Sequence, residues 1–252
     1  MHRKRICCAG GTPAVRYAAK FLQDIGFCVT TETSWDTAHL LLDIPSFRDN
    51  TTLRMGGSVD TLLGSMPKDI TIWGGNLNHP ALEGYHTADL LEDESYLAKN
   101  AAITADCALQ VAAPLLTATW QESPALVIGW GRIGKCLSKL LKDMGNDVTV
   151  AARDPKVRSA LESMGYRSAD PRYITERASQ YRILFNTAPE TVITEAEASH
   201  WQNCVKIDLA SRKGIAGKDV IWARGLPGIH APESSGRLIA ETIQRIWKER
   251  NL

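Results

Sequence analysis

The sequence has no run of about 18 apolar residues, the length that a membrane-spanning helix needs. The basic start at residues 2–5 precedes only four apolar residues before Gly10-Gly11-Thr12-Pro13, which is too short for an export signal. An excess of one charge is also missing, because 29 Lys and Arg stand against 28 Asp and Glu and the basic residues are scattered. The lack of a basic stripe argues against a nucleic-acid or membrane surface and favours a small-molecule substrate.

Cysteine spacing gives no sign of a metal site or a disulfide framework. The six cysteines form no Cys-x-x-Cys pair, and no His lies at metal-ligand spacing from any of them. Most stand inside apolar patterns, so we expect buried free thiols, no metal, and a cytoplasmic location. The six are Cys7, Cys8, Cys28, Cys107, Cys136 and Cys204.

Apolar runs alternate with amphipathic stretches along the chain, and 44% of the residues are apolar. This alternation is typical of parallel sheets covered by helices. Strands are predicted at residues 5–9, 27–30, 40–45, 70–75, 87–91, 125–128, 148–152, 183–185, 205–209 and 220–222. Helices are predicted at residues 13–26, 59–66, 103–120, 133–144, 155–164, 171–179 and 195–201, and in a terminal segment from Leu238 to Trp247.

The chain is organised around residues 125–134, an apolar run that ends in Gly-x-Gly-x-x-Gly. The glycines lie where a buried strand turns into a helix, which is the setting of a dinucleotide-binding loop. Gly129 permits the tight turn, Gly131 lets a pyrophosphate approach the backbone, and Gly134 lets the helix pack on the strand. The alternative is a glycine turn that serves packing alone. The cofactor-binding residues predicted here are Gly129, Trp130, Gly131, Arg132, Ile133 and Gly134.

We therefore predict an α/β protein with two doubly wound parallel-sheet domains, the second a Rossmann NAD(P)-binding domain. The first, flavodoxin- or Rossmann-like and on the substrate side, is placed at residues 1–102. A linking helix follows at residues 103–122, the nucleotide-binding domain at 123–232, and a C-terminal helix at 233–252. The first domain carries no dinucleotide loop, since Gly10-Gly11-Thr12-Pro13 lacks a third glycine.

The tip of the strand at residues 148–152 predicts which nicotinamide cofactor binds. An NAD site places Asp or Glu here to accept from the ribose 2′-hydroxyl, but by count from Gly129 the position holds Ala152, with Arg153 next. A small residue followed by Arg suits the 2′-phosphate of NADP. NADP is therefore favoured. NAD is the alternative, in which a register shift of one or two residues brings Asp154 to the tip.

Two later strand ends carry polar residues at the edge where doubly wound sheets bind ligands. Asn186-Thr187-Ala188-Pro189 is predicted to flank the nicotinamide ribose, with an ordinary Asn-capped turn as the alternative. Asp208-Leu209-Ala210-Ser211-Arg212 brings together a carboxylate, a hydroxyl and a guanidinium. Arg212 is predicted to hold a substrate carboxylate, with Ser211 and Asp208 as further catalytic residues and Asp208 also beside the cofactor. The alternatives are a salt-bridged turn, and an Asp208 that orients Arg212 or the backbone.

Two glycines and two prolines over residues 225–236 predict a rigid loop, with Ser234 or Ser235 capping the last helix. His230 in this loop is a candidate acid or base, although a lone His is more often structural. Backbone amides in the glycine turns are candidate donors to a substrate. The candidate substrate residues are Gly11, Thr12, Gly75, Asn76 and Gly228.

Together these motifs resemble the family of the dipicolinate synthase A subunit, most specifically in Gly225-Leu226-Pro227-Gly228-Ile229 with Ala231-Pro232 and Ser235-Gly236. The resemblance covers roughly residues 90–250 and is weaker before them, where the chain is shorter than the family's first domain. His230 stands where the family pattern has an apolar residue, which weakens its case as a catalytic group. The other matching segments are residues 128–134, Ala152-Arg153, Asn186-Thr187-Ala188-Pro189, Asp208-Leu209-Ala210-Ser211-Arg212, and residues 91–100 with Thr104.

The resemblance implies oxidation of dihydrodipicolinate to dipicolinate, the spore calcium chelator, with a nicotinamide cofactor as hydride acceptor. It also implies a second component, the flavoprotein-like B subunit of the synthase, and we expect the chain itself to form a homo-oligomer. One alternative is a 2-hydroxy-acid dehydrogenase-like NAD(P)-dependent oxidoreductase, which shares the two-domain plan but needs a catalytic His backed by a carboxylate. The other alternative is a nucleotide-binding partner subunit without turnover of its own.

Overall fold

The computed structural model describes residues 5–34, 37–64 and 66–250. The chain forms two compact units, each with its own parallel sheet. The first comprises the described residues of Met1–Asn100 and Pro227–Leu252, and the second comprises Ala101–Leu226. The C-terminal helix, which the sequence left as a separate segment, is part of the first unit.

The described part of the chain contains seven α-helices and eleven strands. The helices are α1 (Pro13–Asp24), α2 (Val59–Gly64), α3 (Glu94–Ala112), α4 (Arg132–Asp143), α5 (Pro155–Ser163), α6 (Leu226–His230) and α7 (Pro232–Glu249). The strands are β1 (Arg5–Cys8), β2 (Cys28–Thr30), β3 (His39–Leu41), β4 (Thr71–Gly74), β5 (His86–Asp89), β6 (Ala125–Ile128), β7 (Val148–Ala151), β8 (Arg167–Ala169), β9 (Ile183–Asn186), β10 (Val205–Asp208) and β11 (Val220–Trp222).

The sheet of the first unit has the order β2-β1-β3-β4-β5, and every pairing in it is parallel. Strands β3 and β4 are buried along their whole length, as a sheet covered by helices requires. Helix α1 starts as the sequence predicts: Thr12 Oγ1 accepts from Val15 N, and Pro13 takes the first helical position. Because the strands run the same way, the loops after β1, β3 and β4 meet at one edge.

The sheet of the second unit has the order β11-β10-β9-β6-β7-β8, again with every pairing parallel. The chain runs outward from β6 through β7 to β8 and then returns to the other side of β6 as β9. The strand order therefore reverses between β6 and β9, which creates the crevice where doubly wound sheets bind ligands. The predicted fold class, with two doubly wound α/β units, is confirmed.

The linking helix differs from its prediction at both ends. It is α3, which begins at Glu94 rather than at residue 103, because Asp93 Oδ1 accepts from Tyr96 N and so caps an earlier start. It ends at Ala112, and Pro114 falls in the 3-10 turn Ala113–Leu115 that follows. The prediction therefore missed the first turns of the helix, including buried Tyr96 and Ala101.

Three further predictions of helix or loop are wrong. Residues 171–179 form the 3-10 turns Pro171–Tyr173 and Thr175–Gln180, with non-helical backbone at Arg177. Residues 195–201 form only the 3-10 turn Ala198–Trp201, which suffices to bury Trp201. The loop expected at residues 225–236 forms α6 and the start of α7.

The N-cap of helix α7 and the existence of strand β8 were also not predicted correctly from the sequence. Ser235 does not cap α7: the N-cap is Ala231, which makes no side-chain cap hydrogen bond, and Ser235 lies inside the helix with its N–H donating to Ala231 O. Strand β8 was not predicted, because it is partly exposed and carries no apolar run. The strand lies where burial imposes no hydrophobic pattern, whereas Ser235 is a buried polar residue, which a pattern of apolar residues does not mark.

Four of the cysteines are buried free thiols, as expected, whereas Cys28 is exposed and Cys136 is partly exposed. Burial raises the pKa of Cys8 and of Cys204 to about 12, so these thiols stay protonated. Within the described residues, no group of three or more His, Cys, Asp and Glu side chains is placed to hold a metal ion. No helix among those residues is both long and apolar enough to cross a membrane.

Helices α1 and α7 pack closely in the first unit because Gly236 has no side chain. A Cβ at Gly236 would lie 2.6 Å from Ala14 O and 2.7 Å from Ala18 N, both on the α1 backbone. Backbone atoms cannot rotate away as a flexible side chain can, so α1 would have to shift. The motif Ser235-Gly236 therefore has a packing role that does not depend on any ligand.

Replacing Gly236 with Ala should lower the free energy of unfolding by roughly 1–3 kcal/mol, since the overlap with α1 outweighs the gain in helix propensity. Gly64→Ala is the matched control, because a Cβ at this exposed end of α2 meets no atom within 4 Å. Urea denaturation of the two variants and the parent chain measures the difference. Equal stability of Gly236→Ala and the parent would contradict the close packing.

Candidate functional site

Two glycines of the Gly-x-Gly-x-x-Gly motif that joins β6 to α4 serve packing, and the third leaves space. Gly129 has a φ of +103°, and a Cβ there or at Gly134 would collide with neighbouring atoms, Thr187 Oγ1 and Gly129 O respectively. A Cβ on Gly131 would meet no atom within 4 Å, and this residue caps α4 without a side-chain hydrogen bond. The N-terminus of α4 thus faces open space, which suits a phosphate.

A cleft of about 580 Å³ in the second unit adjoins this loop. It lies over the carboxyl ends of β6, β7 and β9, at the crevice where the strand order reverses. Its size is within the roughly 300–1,000 Å³ of ligand pockets. Trp130 lines it, with the indole ring held edge-on against Tyr166 at 5.5 Å. The charged lining residues are Arg153, Asp154, Arg172, Glu190 and Glu197.

The tip of β7 has the register that the sequence predicts. The strand ends at Ala151, and buried Ala152 and exposed Arg153 follow, both lining the cleft. Asp154 caps α5 instead, since its Oδ1 accepts from Lys156 N at 2.8 Å. The carboxylate that the NAD alternative would need at this tip is thus engaged in starting a helix.

Arg158 and Asp170 hold this tip in place, and neither was selected from the sequence. Arg158 Nη1 donates to Ala152 O and to Arg153 O, both at 2.7 Å, and Nη2 lies 3.3 Å from Asp170 Oδ2. Hydrogen bonds from Arg172 are the largest cause that lowers the pKa of Asp170 below its usual range. One signal was available, because helical side chains lean toward the N-terminus and Arg158 stands one turn into α5.

The side chain of Asn186 shapes the loop after β9 and is not available to a cofactor. It is fully buried: Nδ2 donates to Ala188 O and to Asp208 Oδ1, and Oδ1 accepts from Ala188 N. Thr187 Oγ1 donates to Ile128 O, which ties this loop to the end of β6. The hydrogen bonds between Asn186 and Ala188 form the Asn-capped turn that was the alternative interpretation. Of the predicted motif Asn186-Thr187-Ala188-Pro189, Ala188 lines the cleft.

Asp208 organises the loop after β10 from a fully buried position. Its Oδ2 accepts from Gly214 N and Ile215 N, and its Oδ1 accepts from Ala210 N and Asn186 Nδ2, at 2.6–3.0 Å. With both oxygens occupied, the carboxylate cannot reach a substrate or a cofactor. The structure thus replaces the predicted catalytic and cofactor contacts of Asp208 with the alternative, in which it orients the backbone.

Ser211 and Arg212 stand on the surface of the loop that Asp208 holds. In the part of the chain that the structure describes, Arg212 makes no hydrogen bond or ion pair. The salt-bridged turn is therefore not formed, and the guanidinium is available to an anion. The neighbouring Lys213 instead donates to Gly217 O at 3.1 Å.

The predicted substrate amides of the first unit are already occupied. Gly11 N and Thr12 N donate to the two carboxylate oxygens of Asp43 at 3.0 Å, and Thr12 Oγ1 donates to Asp43 Oδ1 at 2.6 Å. Gly75 N donates to Ser46 Oγ at 3.1 Å. These amides are therefore unavailable to a substrate, which corrects the prediction. Asp43 carried a signal in the sequence, since it is an acidic residue directly after a buried apolar run.

Two arginines at this same edge of the first sheet were not selected from the sequence. Arg54 is half-buried and donates from Nη1 to Ile44 O at 3.2 Å, and exposed Arg16 donates from Nη2 to Gly11 O at 3.0 Å. A guanidinium has five donors, so each of these side chains retains others for an anion. Asn76, at the third loop of the edge, is exposed and has a positive φ of 58°.

Comparison with known proteins links the chain to one family. The A subunit of dipicolinate synthase from Bacillus subtilis (strain 168) is 25% identical over 169 residues, which are 64% of this chain and 57% of that protein. The chain is similar to this A subunit over that stretch. The resemblance inferred from the motifs is confirmed. The match thus spans a little over half of the curated relative, and no family model matches the chain.

Solved structures of the same family share the fold. The crystal structure of the dipicolinate synthase A subunit from Bacillus halodurans superimposes with a TM-score of 0.83 at 20% identity, covering 96% of this chain and 97% of that one. The A chain of dipicolinate synthase from Bacillus subtilis superimposes with a TM-score of 0.79 at 19% identity, covering 99% and 97%. The two-unit α/β architecture is therefore that of the family.

The position of His230 agrees with the departure from the family pattern noted in the sequence. His230 is exposed on α6, as is the adjacent Ile229, and Gly228 of the same helix has open space beside it. Glu233, the carboxylate nearest to His230 in the sequence, lies 3.5 Å from Arg237. A His backed by a carboxylate is thus not assembled from these residues.

Asp208→Asn should lower the free energy of unfolding by roughly 2–4 kcal/mol, because an amide NH₂ cannot accept from the backbone N–H groups that face the carboxylate. Asp143→Asn is the control, since Asp143 is an exposed partner of Lys139 in an i,i+4 pair worth about 0.3–0.5 kcal/mol. Chemical denaturation measures both variants. A loss for Asp208→Asn no larger than that of the control would contradict the organising role.

Proposed function

We propose that the chain is an oxidoreductase like the dipicolinate synthase A subunit, which oxidises dihydrodipicolinate to dipicolinate with NAD(P)⁺ for spore formation. One observation carries the proposal: in a chain similar to that A subunit, the cleft where the strand order reverses adjoins the loop before α4, and a Cβ on Gly131 at the start of α4 would meet no atom within 4 Å. Dinucleotides bind at this place in doubly wound sheets. The glycine geometry fits a dinucleotide, because Gly131, the one glycine of the motif without a packing role, leaves space beside the backbone at the start of α4.

The proposed oxidation does not require a strong acid–base pair of side chains. Dihydrodipicolinate and NAD(P)⁺ give dipicolinate, NAD(P)H and a proton, and the bound nicotinamide supplies the hydride acceptor. Because the product ring is aromatic, the oxidation is favoured, and the protein mainly has to orient the substrate. The placement of His230 supports this reaction over that of a 2-hydroxy-acid dehydrogenase, since the latter relies on a His–carboxylate pair.

Within the proposal, the cofactor side of the site is assigned to the second unit. The start of α4 at Gly131 holds the pyrophosphate, and Trp130 and Ala152 line the adenosine side of the cleft. Arg153 faces the ribose 2′-phosphate, which makes NADP the preferred cofactor. The engagement of Asp154 as a helix cap supports the same choice.

Arg153→Ala should weaken NADP binding roughly 10- to 100-fold, the loss of one charge-assisted hydrogen bond, and leave NAD binding within about twofold. Isothermal titration calorimetry with each cofactor measures the two dissociation constants. Lys139→Ala, which removes an exposed cation of α4 paired with Asp143, is the control. An equal loss for both cofactors would refute the 2′-phosphate assignment.

On the substrate side, the two carboxylates of the substrate require cations. Arg212 is the candidate in the second unit, because its guanidinium is exposed and is carried on a loop that Asp208 holds. Within the first unit taken by itself, Arg54 and Arg16 are candidate anion contacts in place of the amides of Gly11 and Thr12, since Asp43 occupies those amides. Guanidinium groups match carboxylates in bidentate geometry.

Arg212→Ala should raise KM for dihydrodipicolinate roughly 10- to 100-fold through the loss of a charged hydrogen bond, with cofactor affinity unchanged. Lys213→Ala is the matched control, because it removes the adjacent cation, which is engaged with Gly217 O. Steady-state kinetics and cofactor titration report the two effects. Unchanged kinetics for Arg212→Ala would remove this residue from the site.

The assembly of the enzyme is also part of the proposal. The family resemblance supports the flavoprotein-like B subunit of dipicolinate synthase as a partner required for synthesis, and we propose that the chain forms a homo-oligomer. Size-exclusion chromatography with light scattering on the chain alone tests the second statement. Co-purification with the product of an adjacent flavoprotein-like gene tests the first.

A spectrophotometric assay tests the function itself. The purified chain is mixed with NADP or NAD and freshly prepared dihydrodipicolinate, with and without the flavoprotein-like partner, and the absorbance of the reduced nicotinamide is followed. Growth of this absorbance is the expected result. Turnover of simple 2-hydroxy acids instead would favour the dehydrogenase alternative, and cofactor binding without turnover in any combination would favour a non-catalytic partner subunit.

A further inference from the structure

An ion pair crosses the cleft of the second unit. Arg153 Nη1 lies 2.6 Å from Glu190 Oε2, and both side chains line the cleft. Arg153 follows β7 and Glu190 follows β9, and these strands flank β6 on opposite sides. The pair therefore spans the carboxyl end of β6, over which a dinucleotide passes in a doubly wound sheet.

The backbone near both partners is held, whereas the two side chains are exposed. Arg153 O accepts from Arg158 Nη1 at 2.7 Å. On the other side, Val192 N donates to Gly214 O at 2.7 Å, and a Cβ on Gly214 would overlap Glu190 O. The side chains of Arg153 and Glu190 are 76% and 53% exposed, so water competes with the pair and a ligand can replace either partner.

The other charged groups that line the cleft have partners elsewhere. Asp154 caps α5, and Arg172 is bound to Asp170 through Nε and Nη2. Glu197 accepts from Thr194 N and Oγ1, and hydrogen bonds from Thr194 are the largest cause that lowers the pKa of Glu197. Arg153 and Glu190 are thus the charged lining groups whose interaction runs across the cleft.

We propose that Glu190 sets the cofactor preference of this site by competing with the 2′-phosphate of NADP for Arg153. This inference rests on the proposed function, in which the cleft binds a nicotinamide dinucleotide. A 2′-phosphate has to share the guanidinium with the carboxylate or displace it, and in either case the carboxylate repels the phosphate at close range. NAD carries a hydroxyl at this position and experiences neither effect. Glu190 therefore lowers the advantage that Arg153 gives to NADP.

The test is Glu190→Gln, which keeps the shape of the side chain and removes its charge. Titration calorimetry should show NADP⁺ binding about fivefold tighter than in the parent chain, which corresponds to ~1 kcal/mol, the upper end for an exposed ion pair. NAD⁺ binding should stay within about twofold. Raising the salt concentration should bring the NADP⁺ dissociation constants of variant and parent closer together, since salt screens the electrostatic competition.

Two further variants separate the ion pair from the overall charge of the cleft. Glu197→Gln removes a carboxylate from the same cleft that does not contact Arg153, and it should not reproduce the gain. In the Arg153→Ala background, Glu190→Gln should no longer improve NADP⁺ binding relative to NAD⁺. Circular dichroism checks that each variant is folded. We expect the Arg153 and Glu190 variants to fold, because both side chains are exposed.

The outcomes distinguish this inference from the proposed function. If the parent chain binds neither NADP⁺ nor NAD⁺, the proposed function fails and the inference with it. If the parent binds both and Glu190→Gln leaves their ratio unchanged, the inference is overturned while the function stands. A gain that persists without Arg153, or that Glu197→Gln matches, also overturns it, because the effect would then come from cleft charge rather than from the pair.

Discussion

The hydrogen bonds of the buried Asp208 carboxylate hold the loops at the carboxyl ends of β9 and β10, beside the cleft of the second unit. It accepts from three backbone N–H groups of its own loop and from Asn186 at the end of the adjacent strand. Each donor left without an acceptor would cost about 1–3 kcal/mol, so the arrangement is cooperative. Through Gly214, whose carbonyl accepts from Val192 N, the same carboxylate positions one wall of the cleft. Exposed Arg212 stands on a rigid support as a result.

A carboxylate at a strand end also explains why two similar glycine turns differ in whether their backbone amides are already hydrogen-bonded. Both Gly11 and Gly131 lie between a parallel strand and a helix. Asp43, at the end of the next strand in the first sheet, fills the amides around Gly11, whereas a Cβ on Gly131 would meet open space. The amides of a glycine turn before a helix are therefore available to an external anion only where no side chain of the protein already occupies them.

The sequence predicted most elements of the two sheets, including the largely exposed strands β2 and β11, but it missed strand β8 and helix α6. Both sheets followed from apolar runs, because a strand covered on both faces must be apolar throughout. Strand β8 was missed because it is partly exposed and carries no apolar run, and helix α6 was missed because the glycines and prolines of residues 225–236 indicated a loop. The start of α3 was placed too late, since its first turn is determined by the cap at Asp93 rather than by an apolar face.

For the candidate site, the sequence alone determined what depends on local spacing. The strand–loop–helix setting of Gly131 and the register of Arg153 at the tip of β7 follow from counting residues, because a strand and the helix after it have fixed periods. Only the tertiary structure decided which polar groups remain available. Asp43 and Asp208 are engaged with backbone amides, and Glu190 meets Arg153 across the sheet. Such pairings join residues far apart in the chain, and no local period encodes them.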